Sequence, residues 1–150
     1  ITGALTVSTW VYFDGFTTTA VNSRIITKMG LEKTSWDLTR ESHTGKVHFY
    51  ITADGSTRIE VISKNSPPIG KWVHYAGVFE PGKAIRIYTD GVLDNSNTTN
   101  IPNAIYDSSE TVKFGTHPKY KDCYLKGRID DARIYKEALT AEQIRRIAGL

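Results

Sequence analysis

Apolar and polar residues alternate with a period of two along most of this chain, and clusters of Gly, Asn, Asp, Ser and Pro interrupt the alternation at short intervals. A period of two puts successive side chains on opposite faces of a strand, so the pattern predicts half-buried β-strands joined by tight turns. Strands are predicted over 5–13, 24–28, 36–40, 46–52, 57–63, 72–80, 84–89, 111–114 and 126–135. In the fourth of these, Val47, Phe49 and Ile51 share one face while His48 and Tyr50 take the other. Asp54-Gly55 supplies a hairpin turn before Arg58-Ile59-Glu60-Val61 resumes the alternation. Pro81-Gly82-Lys83 joins two further strands, because Pro presets one turn dihedral and Gly accepts a positive one. The polar stretch 94–100 is too hydrophilic for an interior strand and is expected to be an exposed connection; within it, Asn97-Thr98-Thr99 matches a glycosylation acceptor. One helix is predicted, at the C-terminus, where Thr140 and Gln143 have the spacing of a capping box, Ile144 and Ile147 share a face and Gly149 closes the element. Its apolar face is expected to lie against the rim of the strands.

The chain from Gly127 to Ile144 reads as a closing strand running into that helix. Two further segments keep order with it: Ala-Leu-Thr-Val-Ser-Thr-Trp-Val at 4–11, and Gly-Lys-Trp-Val-His-Tyr-Ala-Gly-Val at 70–78 followed by Ile-Tyr-Thr-Asp-Gly at 87–91. Together they resemble the laminin G-like domains of the concanavalin A-like lectin/glucanase superfamily. The resemblance implies an all-β fold, an antiparallel two-sheet jelly-roll sandwich with a short C-terminal helix, formed by residues 1–150 as a single domain. It also implies a noncatalytic carbohydrate-binding module that targets an attached enzyme or adhesin to a polysaccharide, at a secreted or cell-surface location. The alternatives are an extracellular protein-interaction or adhesion module, or a structural spacer in a multidomain enzyme.

Composition narrows the field. A chain of 150 residues buries roughly two thirds of the surface its unfolded form exposes, enough for one core without disulfide staples. No apolar run approaches the roughly 20 residues of a membrane span, so membrane insertion is not expected. The chain opens on strand-like residues with neither an initiator Met nor a basic-then-apolar leader, which suggests a module excised from a larger protein, with covalently linked neighbouring domains. Cys123 is the only cysteine; it excludes an internal disulfide or a cysteine-rich zinc site and reads as a packing residue. The net charge of +3 is spread among interleaved acids and bases, so no nucleic-acid partner is expected. It tilts the choice of ligand toward an anionic polysaccharide or oligosaccharide.

The glucanases that this domain resembles carry a Glu-x-Asp-x-Glu strand for glycosidic cleavage; no such triplet occurs here, and no Gly-x-Ser-x-Gly elbow anchors a nucleophile. Trp72 and His74 match a framework segment of the family, and Trp10 belongs with Val7 and Val11 in the opening strand. Trp36 stands at a loop–strand junction, where its ring either plugs the core or offers a sugar a stacking face. Sugar binding combines aromatic rings, which cover C–H faces, with planar charged groups that meet hydroxyls. Two sets have that mixture: Lys28, Trp36, Asp37 and Arg40, and the run His117, Lys119, Tyr120, Lys121, Asp122 and Tyr124; both are expected to line one groove. Asp130 shares strand parity with Ala132 and Ile134, which aims it inward. A buried carboxylate needs a cation or several donors, so Asp130, joined by Asp14, is a candidate ligand of a structural calcium ion; backbone amides or an Arg would serve equally.

Overall fold

The computed structural model describes residues 1–16 and 21–150. Its strands are β1 (Leu5–Phe13), β2 (Ser23–Met29), β3 (Thr34–Arg40), β4 (Val47–Thr52), β5 (Arg58–Ile62), β6 (Trp72–Glu80), β7 (Ala84–Thr89), β8 (Val92–Asn97), β9 (Lys113–Phe114) and β10 (Gly127–Tyr135), followed by α1 (Ala141–Ile147). They form two five-stranded antiparallel sheets, ordered β10-β1-β6-β7-β8 and β5-β4-β3-β2-β9. This is the jelly-roll sandwich expected from the alternation and the turns.

The period-two pattern explains the core directly. Leu5, Val7, Val11 and Phe13 of β1 and Val73, Tyr75 and Phe79 of β6 face Trp36 and Leu38 of β3 and Val47, Phe49 and Ile51 of β4, all inside one apolar cluster. Gly77 is the gap in the β6 row: a Cβ there would lie 2.2 Å from the Phe49 ring, so the missing side chain is what lets the ring sit between the sheets. The turns behave as the sequence predicts. Gly55 and Gly82 hold positive φ angles of 86° and 67°, and the Asp54 carboxylate accepts hydrogen bonds from the Ser56 and Thr57 amides.

The capping box forms, with the Gln143 amide donating to Thr140 Oγ1 and the Thr140 amide donating to the Gln143 side chain. The helix lies along the edge strand β8, as expected of an element at the rim. From there Ile144, together with Leu139, packs on Ala76, Val78 and Tyr88 of the outer face of the first sheet. Thr6 clamps this segment, donating to the Glu137 carbonyl at 2.7 Å and accepting from the Leu139 amide at 3.0 Å.

Three expectations are corrected. The polar stretch around 94–97 is not a free connection but the end of β8, an edge strand paired to β7. An edge strand needs only backbone pairing, and here its polar side chains also tie the two sheets together: Asn95 and Asn97 donate to the carbonyls of Ile62 and Glu60 on β5 or at its end. Trp36 is a core plug, 1% exposed. Asp130 points outward, because β10 carries a bulge: β1 advances two residues from Ser8 to Trp10 while β10 advances three, from Arg133 to Asp130, with Asp131 at a φ of 49°. The extra residue reverses the parity that Ala132 and Ile134 suggest.

Gly77→Ala should destabilise the domain by about 1–3 kcal/mol through overpacking against Phe49. Urea denaturation checks this, and Phe49→Leu in the same chain should recover part of the loss. A Gly77→Ala variant as stable as the parent would mean that the sheets are not spaced by this contact.

Candidate functional site

The face of the second sheet turned away from the core is polar. Cross-strand pairing places Arg24 beside Thr39, Thr27 beside Asp37, Asp37 beside Tyr50, and Tyr50 beside Glu60, so these side chains project from one surface. The Arg24 guanidinium donates to the Asp37 carboxylate, both side chains being buried. Burial pushes the Asp37 carboxyl up to about 6 against the pull of Arg24. Arg58 lies over the Tyr50 ring, 4.1 Å from its centroid, and its Nη1 donates to Glu41 Oε1 at 3.0 Å, while Asn22 donates to Glu41 Oε2. Burial raises the Tyr50 hydroxyl well above its ordinary value, and the neighbouring Asp37 adds to the effect. On the same face His48 is held at both nitrogens, Nε2 to Thr44 Oγ1 at 2.8 Å and Nδ1 to Glu60 Oε2 at 2.9 Å. Thr44 Oγ1 also accepts the Lys46 amide, so this chain of contacts fastens the β3–β4 turn to the sheet.

Bordering this face is the loop 115–126, which joins β9 to β10. Its neck is closed by backbone bonds, Leu125 N–H to Gly115 O at 2.9 Å and Asp14 N–H to Lys126 O at 2.9 Å, and Gly115 N–H reaches Ile25 O on β2. Inside the loop, His117 Nδ1 accepts the amides of Lys119 and Tyr120 at 3.0 and 3.1 Å. The His117 and Tyr120 rings lie 4.8 Å apart, and Lys119 Nζ sits 5.4 Å from the Tyr120 ring centroid. Burial lowers the His117 pKa to about 4, helped by the positive charges of Arg24, Lys113 and Lys119, and the Gly115 amide bond to Ile25 sets the loop beside the Arg24 end of β2. Tyr120 and Tyr124 are exposed.

Of the residues that the sequence proposes, His117, Lys119, Tyr120 and Tyr124 share this loop. The other set is not brought together. Trp36 is in the core, Lys28 pairs with Asp107 at 3.2 Å, and the Arg40 guanidinium lies 3.9 Å from the centroid of the Phe16 ring. Asp37 alone joins the polar face, fully buried. Asp14 and Asp130 do not fit a calcium site. They are separated by four residues of paired strand, roughly 13 Å. Asp14 accepts from Arg128 at 3.2 Å, and Asp130 Oδ1 accepts the Asp131 amide at 2.8 Å. Among the described residues, no group of three or more His, Cys, Asp or Glu could hold a metal ion. The sequence reading missed Arg24, Glu41, Tyr50 and Arg58. Their signal is the shared parity of polar residues on adjacent strands, legible only once strand order and register are known.

A laminin G-type profile, described as the concanavalin A-like lectin/glucanases superfamily, matches residues 1–145. Among solved structures, domain 4 of AbnA, a GH43 extracellular arabinanase from Geobacillus stearothermophilus, in complex with arabinotriose, is similar with a TM-score of 0.75 and 23% identity, over 98% of this chain and 67% of that one. The SAP-like pentraxin of Limulus polyphemus is similar with a TM-score of 0.76 and 15% identity, over 98% of this chain and 70% of that one. At these identities the structural likenesses speak for the fold alone. The human adhesion G-protein coupled receptor D1 is 28% identical over 101 residues, 67% of this chain and 11% of the receptor.

The Nδ1 atom of His117 can accept two amides only while it is unprotonated. Between pH 6.5 and about 4 the unfolded chain binds a proton that the folded loop refuses. The stability that this ring contributes is therefore present above about 6.5 and is lost as the pH falls through 4. In an NMR titration the His117 ring should titrate near 4, with amide protection of Lys119 and Tyr120 disappearing over the same range. A midpoint near 6.5 would sink this assignment.

Proposed function

Because the chain belongs to the concanavalin A-like lectin/glucanase superfamily, we propose that it is a noncatalytic carbohydrate-binding module of a larger extracellular protein. The observation that carries this reading is the loop 115–126, where a cation, an imidazole and the exposed phenol ring of Tyr120 are packed into one small cluster on a fixed neck. Rings of this kind cover the C–H face of a sugar, and an ammonium group meets a hydroxyl or an acid group at its edge. Lys119, Lys121 and Lys126 fall in the same loop, all exposed, which favours an anionic polysaccharide such as one bearing uronate groups. The arabinotriose-bound arabinanase domain supports a sugar as the ligand class, and an extracellular location agrees with both that enzyme and the adhesion receptor. Among the described residues, no helix is long and apolar enough to cross a membrane.

The reading is noncatalytic because the paired carboxylates that glycosidic cleavage needs have no counterpart in the sequence, and the carboxylates of the polar face are already engaged, Asp37 by Arg24 and Glu41 by Arg58 and Asn22. A second reading, an adhesion module that binds a protein, is favoured by the match to the adhesion receptor.

A glycan array separates the two readings. Reproducible binding to acidic glycans supports the first; silence on glycans, with capture of a defined protein partner, supports the second. A charge-assisted hydrogen bond is worth about 1.5–3 kcal/mol, and tenfold in affinity is about 1.4, so Tyr120→Ala and Lys119→Ala should each weaken the best array ligand about tenfold or more, with the melting temperature unchanged. If both variants bind as the parent does, the loop is not the site. The domain should release no reducing sugar from that ligand.

A further inference from the structure

Among the described residues, the C-terminal segment covers one end of the outer face of the first sheet. Residues of the C-terminal segment lie over Thr6, Ala76, Val78 and Tyr88. Beyond Ala76, three strands present two short rows: Asp130, Trp10 and His74, then Arg128, Tyr12 and Trp72. The rings are mutually braced, Trp10 edge-on to His74 at 5.4 Å and Tyr12 edge-on to Trp72 at 5.6 Å. The Arg128 guanidinium lies 4.6 Å from the Tyr12 ring centroid and donates to Asp14 at 3.2 Å, so it is held flat at the margin of the rings although its side chain is 61% exposed. Trp72 is 37% exposed.

We infer that Trp72, Tyr12 and Arg128, with Asp130, form a second sugar-binding platform that takes uncharged sugar units. An indole braced from one side by a tyrosine ring offers its free surface to the C–H face of a pyranose or furanose without first having to be ordered. Arg128 and Asp130, two residues apart on β10 and so roughly 7 Å apart, supply a donor fork and an acceptor for hydroxyls at the edge of the ring. Charge decides the class of sugar. Arg128 is offset by Asp14 and Asp130, and Asp131 and Arg133 neutralise each other through contacts of 2.7 and 2.8 Å. The platform therefore lacks the surplus of lysines that the loop 115–126 carries, and a neutral chain matches it better than an acidic one. The inference rests on the carbohydrate-binding reading but uses a different surface, on the opposite sheet from the polar face.

Affinity electrophoresis of the domain in gels containing arabinan, xylan or mixed-linkage β-glucan, and separately polygalacturonate, tests it. At least one neutral polymer should retard the parent. Trp72→Ala should weaken that retardation at least tenfold while leaving polygalacturonate retardation and the melting temperature unchanged, and Trp72→Phe should retain most of the affinity. Should Trp72→Ala fail to fold, the exposed variants Arg128→Ala and Asp130→Asn decide, each expected to weaken neutral binding severalfold. The platform is refuted if no neutral polymer retards the parent, if the folded variants are retarded like the parent, or if neutral and acidic binding fall together. Retardation by polygalacturonate that Tyr120→Ala abolishes would leave the carbohydrate-binding reading standing in each of those cases.

Discussion

The first strand of the chain has to find the last. β1 pairs with β10 from Thr6 opposite Tyr135 to Phe13 opposite Gly127, and with β6 on its other side, so the first sheet is assembled around it. The approach of β10 is tight where it begins. A Cβ on Gly127 would lie 1.9 Å from the Tyr12 carbonyl oxygen, which leaves glycine as the residue that fits. Thr9 then bridges to the Asp130 carbonyl at 2.9 Å beside the bulge. Closing a contact over more than a hundred residues carries a large loop entropy, and the reward comes only when the whole ladder forms. Such non-local pairing makes assembly of the sandwich cooperative and slow compared with that of a helical domain of similar size.

Both surfaces proposed for carbohydrate depend on that pairing. The neck of the loop 115–126 is closed by the bond from Asp14, just past β1, to Lys126, just before β10. The row Arg128, Tyr12 and Trp72 exists because three strands hold those residues level with one another. The far end of the same ladder anchors the helix, since Thr6 binds both Glu137 and Leu139. A disturbance of β1 would thus reach the loop, the platform and the helix together, whereas a change on β5 would be felt mainly by the polar face.

Much of this was legible in the sequence. Alternation located the strands from Leu5–Phe13 to Ala84–Thr89 closely, and the turn and capping residues did what their chemistry requires. What escaped was whatever depends on register. The inward parity of Trp36 is set by its pairing opposite Ile51, and no local signal at the loop–strand junction reveals it. Asp130 was misplaced because a bulge adds one residue without leaving a mark in the alternation of Ala132 and Ile134. β8 looked too polar for a strand because its stabilising partners, the carbonyls of Ile62 and Glu60, lie more than thirty residues away. The loop residues His117, Lys119, Tyr120 and Tyr124 were found as a group because they are close in sequence. Arg24, Asp37, Tyr50 and Arg58 lie on four different strands, and only the folded sheet collects them.

The bulge in β10 has one more consequence. This strand is an outer margin of its sheet, and a straight, apolar margin would invite a strand from another molecule to join it. Here the margin is kinked at Asp131 and lined by Arg128, Asp130, Asp131 and Arg133, while β8, at the other margin, has its side chains tied to the neighbouring sheet. β9, only two residues long, offers little to extend. Copies of the domain held close together can therefore sit side by side without these margins joining into a common ribbon.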